Sequence, residues 1–311
     1  MVSAWPDLPY ESWRATRNTL QLWLQIVGKI RLAQSPWISH SWHVPAYVTP
    51  SGLTTSAIPH GGELFQIDVN VAQHRLLVHT SAGRSGSFAL EAQPVCAFYE
   101  RLMELLRRCN VAVVIRRKSN ELAKPVRLDE DRTHCTYDAE YAHRFWRVLV
   151  QCERVFGIFR ARYAGKSSPV HFFWGNMDLA NTRFSGRRAP THPGGRPHLP
   201  DAVLRDAYSH ECSECGFWAG DDEHPSALFY SLAYPEPPGF AEARVTPQSA
   251  QYSRELHEFV LAYDTVRQAN DPDAVLLNFL QSTYEAAADL GRWDRANLEY
   301  AQASYGSPPA L

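Results

Sequence analysis

Charge of one sign is what this chain most clearly lacks. Its 31 Lys and Arg stand against 33 Asp and Glu, a formal net charge of −2. General binding to nucleic acid needs a cationic surplus facing phosphate, so no nucleic-acid partner is expected. Long apolar runs are missing too: no stretch reaches the roughly 18–20 residues that span a bilayer. The start, MVSAWPDLPYESWRATRNTL, has no apolar centre of a secretory leader, and no membrane partner is expected. The six cysteines are scattered, with Cys96, Cys109 and Cys152 inside helical patterns. That argues against a disulfide scaffold and for a cytoplasmic protein with reduced thiols. G-x-G-x-x-G, Walker A and G-x-S-x-G motifs are all lacking, so nucleotide cofactors and α/β-hydrolase chemistry have no support.

What is present suits a well-packed globular chain. Of 311 residues 45% are hydrophobic, with nine Trp, fourteen Tyr and fourteen Phe, enough for one large domain or two ordinary ones. From Trp13, the positions Leu20, Trp23, Leu24 and Val27 recur at helical spacing. Trp42 to Val48 reads as a strand interrupted by Pro45. Phe65, Ile67, Val69 and Val71 alternate with polar residues, and Arg75 to Thr80 is the expected hairpin partner. Val95, Phe98, Leu102, Leu105 and Cys109 mark a second helix, and Val111 to Ile115 suits a central strand. After a polar connection, Arg117 to Thr136, Tyr141 to Phe159 keep strict helical spacing. Val170 to Trp174, Met177 to Phe184 and Ala227 to Tyr234 read as strands. Leu256, Phe259, Val260 and Tyr263 read as one closing helix. A last helix opens at Asp271-Pro272, a capping residue followed by proline at the first turn, and stops near Gly291. Residues beyond about Ser304 are expected to fray.

The chain also echoes itself. Gly28-Lys29, Ser35-Pro36, Trp42, Ser56 and Pro59 are followed about 130 residues later by Gly165-Lys166, Ser168-Pro169, Trp174, Ser185 and Pro190. Repetition of this kind points to two related halves around one cleft; the other reading is a chance alignment with gaps. The expected class is α+β: two pseudo-repeated halves, residues 1–136 and 137–311, each a mainly antiparallel sheet with flanking helices, packed as one body.

The runs WPDLPYESW, LQLWLQIVGKIRL, SHSWHVPAYVTPSGLTTSAIP, SPVHFFWGNMDLANTRFSGRRAP, AYSHECSECGFW, YSLAYPEPPGF and FLQSTYEAAADL resemble a bacterial protein family of unknown function over nearly the whole chain. The resemblance implies no activity, cofactor or catalytic residue. Cys212 and Cys215 stand where small residues are common in that family, which weakens any essential role for them.

Candidate chemistry gathers in the second half. His171, Asp178, Arg183, His210 and Glu211 lie among Phe172, Phe173, Trp174, Phe217 and Trp218, and aromatic walls around a few polar groups are the usual makeup of a small-molecule pocket. His171, Asp178, His210 and Glu211 are the catalytic candidates. His171, His210 and Glu211 also form a ligand set suited to Fe or Zn; the same groups can work without metal as an acid–base array, or be buried structural residues. His210-x-Cys212-x-x-Cys215, with His224, has zinc-like spacing, but a lone C-x-x-C reads better as two free thiols in a turn. Lys29, Lys166 and Arg183, with Trp174 and Trp218, are the substrate-binding candidates. Their cations, with Arg31, Arg187 and Arg188, suit a small anionic ligand, or a solvated surface. Arg187 to Pro200 reads as a lid or as a loose excursion. The expected function is a cytoplasmic enzyme acting on a small anionic molecule; the alternative is a binding or sensor protein using the same cleft.

Overall fold

In the computed structural model, which describes residues 4–122, 124–196 and 199–300, the chain opens on one long helix, α1 (Tyr10–Gln34). Every residue from Leu20 to Arg31 is buried, so this helix is wrapped on all sides. Its polar side chains must therefore find partners inside the protein. Gln21 donates to the Gly175 carbonyl at 2.7 Å, and Gln25 exchanges two bonds with the Asn120 backbone, both 2.8 Å.

The first sheet follows: β1 (Tyr47–Thr49), β2 (Gly52–Thr54), β3 (Ile58–His60), β4 (Glu63–Asn70), β5 (Arg75–Thr80) and β6 (Ser85–Ala89). It is antiparallel, ordered β1-β2-β4-β5-β6, with β3 also on β4. Phe65, Ile67 and Val69 of β4 face the core while Gln66, Asp68 and Asn70 face away, as alternation requires. Helix α2 (Val95–Arg108) packs on α1, where Trp23 and Phe98 stack with centroids 4.7 Å apart.

Helix α3 (Ala139–Ala161) begins where the Asp138 carboxylate accepts from the Glu140 and Tyr141 amides, an N-cap. The second sheet comprises β7 (His171–Phe173), β8 (Asp178–Arg188), β9 (His210–Trp218), β10 (Leu228–Tyr234), β11 (Gln251–Ser253) and β12 (Glu258–Ala262), all antiparallel in the order β11-β12-β10-β9-β8-β7. A short helix, α4 (Asp201–Ala207), lies between β8 and β9, and α5 (Tyr263–Arg267) and α6 (Pro272–Leu290) follow. The Asp271 side chain caps α6 through the Ala274 amide at 3.0 Å. The protein is thus α+β in two halves, each built from a long helix, a six-stranded antiparallel sheet and a closing helix.

The halves are joined at their sheet edges. Ala46, just before β1, and Phe172 of β7 exchange backbone bonds of 2.9 and 2.8 Å. Beside this bridge Trp174 presses its ring onto α1 at Gly28, where a Cβ would fall inside the indole, and donates Nε1–H to the Val44 carbonyl at 3.0 Å.

Four local expectations need correction. Gly28-Lys29 lies inside α1, whereas Gly165-Lys166 lies beyond the end of α3. No breaker interrupts α1 before Ser35-Pro36, so the two pairs occupy different local settings. Trp42 to Val48 is mostly irregular: a 3₁₀ turn, Ser39–Ser41, precedes it and only its end joins β1. Val111 to Ile115 forms no ladder; it is irregular, with Val111 and Ile115 buried and Val114 86% exposed. Phe259 and Val260 belong to β12 and Tyr263 opens the five-residue α5, because the apolar run is too short to choose its own period. The stretch beyond Ser304 lies outside the described residues.

Candidate functional site

Between the halves lies a cavity of about 500 Å³, within the size range of small-molecule sites. The first half contributes the C-terminal part of α1, residues 37–44 and residues 116–121; the second contributes β7 to β9, Arg196 and α4. Trp37, Trp42, Phe173, Trp174 and Phe184 make much of the wall.

One wall is a sheet face carrying carboxyls. Asp178 on β8 and Glu214 on β9 both line the cavity, and Tyr230 of β10 reaches across between them. Its hydroxyl lies 2.9 Å from Asp178 Oδ2 and 3.5 Å from Glu214 Oε1. Gly216 makes this possible. It sits opposite Tyr230 in the β9–β10 register, and a Cβ there would fall inside the phenol ring. Thr182 supports Glu214 with a bond of 3.2 Å.

Enclosure shapes the charge of this wall, since burial penalises an ionised carboxyl. Burial, and then the neighbouring Asp178, push Glu214 up to about 7. Glu258 on β12 rises to about 8 through burial and Glu214. Burial also raises Asp178 and Glu121. Arg196 enters this field from the chain between β8 and α4. The residue is exposed; partial loss of water around its guanidinium works against its charge, but Tyr208, Glu121 and Asp178 more than offset that. Across the cavity Lys29 donates to the Asn120 Oδ1 atom, and burial brings its ammonium down to about 8.

At the rim, His40 and Ser41 adopt left-handed backbone conformations with φ of 61° and 58°, unusual for residues with a Cβ. They are held there by α4: the His40 amide donates to Asp206 Oδ2 at 2.8 Å, and its Nδ1 pairs with the Ala207 carbonyl at 2.9 Å. Lys166 donates to His40 Nε2 at 2.9 Å. With that nitrogen accepting, the imidazole is neutral and carries its proton on Nδ1. Ser41 lines the cavity, and its buried hydroxyl has no hydrogen-bond partner among the described residues.

Among the residues expected from sequence, His171, Asp178, Lys29 and Trp174 line the cavity. His171 is buried against the Pro169 carbonyl at 2.7 Å, and burial lowers it to about 4, so it is uncharged at neutral pH. The others lie elsewhere. His210 packs beside His40 with ring centroids 5.8 Å apart. Glu211, the next residue on β9, points to the opposite face and pairs with Arg187 at 2.6 Å and Ser185 at 2.8 Å. Adjacent strand residues cannot converge on one ion, so the expected set of His171, His210 and Glu211 is corrected. Among the described residues no group of three or more His, Cys, Asp or Glu side chains is placed to hold a metal. Cys212 and Cys215 lie in β9 rather than in a turn. Three residues apart on a strand, they face opposite sides and cannot share a zinc ion. Trp218 packs against His224, centroids 5.7 Å apart, and Lys166 lies between the rings of Trp42 and Phe184, 5.3 and 5.1 Å away. Arg187 and Arg188 end β8, so only the later part of the expected loop is irregular; Pro197 and His198 lie outside the described residues.

Arg183 is the largest displacement from expectation. It faces away from the cavity, 1% exposed, with its guanidinium carbon 3.4 Å from the Phe159 centroid and 4.3 Å from that of Tyr284. Burial lowers its pKa to about 10, and its Nε has no hydrogen-bond partner among the described residues. This side chain packs the core. Arg183→Ala is therefore expected to lose about 3 kcal/mol through the hole it leaves. Arg183→Met keeps the volume and removes an unpaired charge, and should stay within about 1 kcal/mol of wild type. Urea unfolding of both variants checks this; equal losses would assign the stability to the charge instead.

Sequence reasoning missed Glu214, Tyr230, Arg196, Glu121 and His40. Of these, Glu214 left a trace: His210, Cys212, Glu214, Gly216 and Trp218 share one parity along a strand.

The chain belongs to a protein family of unknown function, DUF5996, whose model matches residues 5–300. No curated protein and no solved structure matches it. No helix among the described residues is long and apolar enough to cross a membrane.

Proposed function

We propose that this protein is a cytoplasmic enzyme performing acid–base chemistry on a small molecule held in the cavity between its halves. One observation carries the reading: a single tyrosine hydroxyl stands between two carboxyls on the cavity wall. Tyr230 has one proton to give. Its shorter bond is to Asp178, which makes Asp178 the ionised partner and the base, and Glu214 the proton-bearing acid. Asp178 takes a proton from the bound molecule and Glu214 returns one to another of its atoms. The phenol can then accept from Asp178 and donate to Glu214, restoring both groups with no net change in protons. Raised carboxyls suit general acid catalysis near neutral pH. The cytoplasmic setting is supported by six free cysteines, five of them buried.

The test is to incubate the purified protein with a small-molecule cell extract and follow the mixture by mass spectrometry. One compound should be consumed and one product should appear with wild type, and neither with Glu214→Gln. A compound retained by the protein and never converted would instead establish a binding protein.

A further inference from the structure

We infer that the ligand of this cavity carries a basic nitrogen, an ammonium or amidinium, which sits against the β8–β9 wall between Asp178 and Glu214. The inference rests on the reading of the cavity as the functional site, and it reverses the ligand charge expected from the sequence. Three of the basic residues behind that expectation are engaged elsewhere. Arg183 lies on the far face of the sheet, Lys166 donates to His40, and Arg187 pairs with Glu211. Arg31 donates to the Pro45 carbonyl, Arg188 is exposed at the end of β8, and Lys29, on the cavity wall, has its ammonium already bonded to Asn120.

The opposing surface gathers acids from four segments. Asp178 comes from β8, Glu214 from β9, Glu258 from β12 and Glu121 from the segment after Ile115. Tyr230 of β10 and Tyr208 beyond α4 add phenols. Three cations face this field: Arg196, Lys29, whose charge bears on Glu121, and Arg116, which also lines the cavity; among the described residues Arg196 makes no ion pair within 4.0 Å. Its guanidinium therefore lies in a carboxylate field without consuming either oxygen pair. The cavity supplies the rest of the specificity independently of these charges. Trp37, Trp42, Phe173 and Phe184 line it, and aromatic faces favour both an apolar body and a nearby cation. An arylalkylamine is the simplest molecule matching both features.

Charge linkage gives the inference a sign. A bound ammonium favours the ionised carboxyls. Affinity should therefore rise with pH through the interval where Glu214 and Glu258 lose their protons, about 7 and about 8, and the Lys29 ammonium on the facing wall, which loses its charge at about 8, acts in the same direction. An alkylammonium stays charged across that interval.

The experiment is calorimetric titration of the full chain with phenethylamine, phenethyl alcohol and hydrocinnamate at millimolar concentration, below and above this interval. Phenethylamine should bind about 10- to 100-fold more tightly than the alcohol, as expected for hydrogen bonds to a charged partner. That advantage should grow with pH and vanish in Asp178→Asn. Arg196→Met, which removes a competing cation, should strengthen amine binding. Hydrocinnamate binding best, or Arg196→Met weakening the amine, would overturn the inference, as would no binding of any of the three. The pH dependence needs only wild-type protein, so a poorly folding variant does not remove the test. No turnover is involved. An amine bound but never converted leaves this inference standing and defeats the enzymatic reading; conversion of an acid or neutral compound does the reverse.

Discussion

Glu214→Gln should lower turnover by about 10²–10⁴-fold, the usual contribution of a positioned acid or base, while ligand affinity changes far less at a pH where the wild-type carboxyl keeps its proton. Glutamine keeps the shape and can still accept from Thr182, but it has no acidic proton to give. The pH profile sharpens the expectation. A general acid works while protonated, so the wild-type rate should fall as pH climbs through about 7, where Glu214 ionises. In the variant this alkaline limb should disappear from whatever activity remains. Wild-type stability moves in the same direction. The Glu214 carboxyl is raised from 4.5 to about 7 by folding; between those values the folded state holds the proton more firmly than the unfolded one. Its contribution is present at low pH and is lost as pH rises through about 7. Glutamine cannot ionise, so the variant should be at least as stable as wild type at alkaline pH, and lost activity there is not lost folding. Unchanged turnover, or an alkaline limb that survives the substitution, would remove Glu214 from the acid's role.

Gly28→Ala is expected to destabilise the protein by about 2–4 kcal/mol. In an unconstrained helix the same change stabilises by about 1 kcal/mol, because alanine restricts the backbone less unfavourably. Here the added methyl would occupy the space of the Trp174 indole. The ring cannot simply swing aside, since Nε1 is bonded to the Val44 carbonyl and β7 is tied to Ala46. Overpacking of a close-packed core typically costs about 1–3 kcal/mol, and more where both sides are pinned. The urea midpoint should fall, and Trp174→Phe in the same chain should recover part of the loss by making room. Because Trp174 also lines the cavity, ligand binding should weaken alongside. A gain in stability would show that the indole is free to move.

Legibility followed locality. Helices α3 and α6 were readable because their apolar spacing and the Asp271-Pro272 start are properties of one segment. The β4–β5 hairpin was readable for the same reason. β9 was not: Cys212, Ser213, Cys215 and Gly216 are poor strand signals, and only pairing on both sides makes the segment a strand. β12 was misread because Phe259, Val260 and Tyr263 fit a helical period as well as an alternating one. Within the site, His171, Asp178, Lys29 and Trp174 could be picked out as polar or aromatic residues of the two echoed segments. Glu214 could not, because its role depends on a tyrosine from the next strand crossing a glycine. The charge of Arg183 suggests a ligand contact, whereas its place is decided by the rings of Phe159, Tyr163 and Tyr284 that enclose it.

The parity of β9 has a consequence for how this protein can change over generations. Even-numbered positions, including Glu214 and Gly216, front the cavity side, and odd-numbered positions such as Cys215 and Phe217 front the helices. Selection for a new ligand can therefore act on one set while leaving the packing of the other intact. Insertion of a single residue would exchange the two sets at once. Substitutions are the accessible route to novelty along this strand, and changes of length are closed to it.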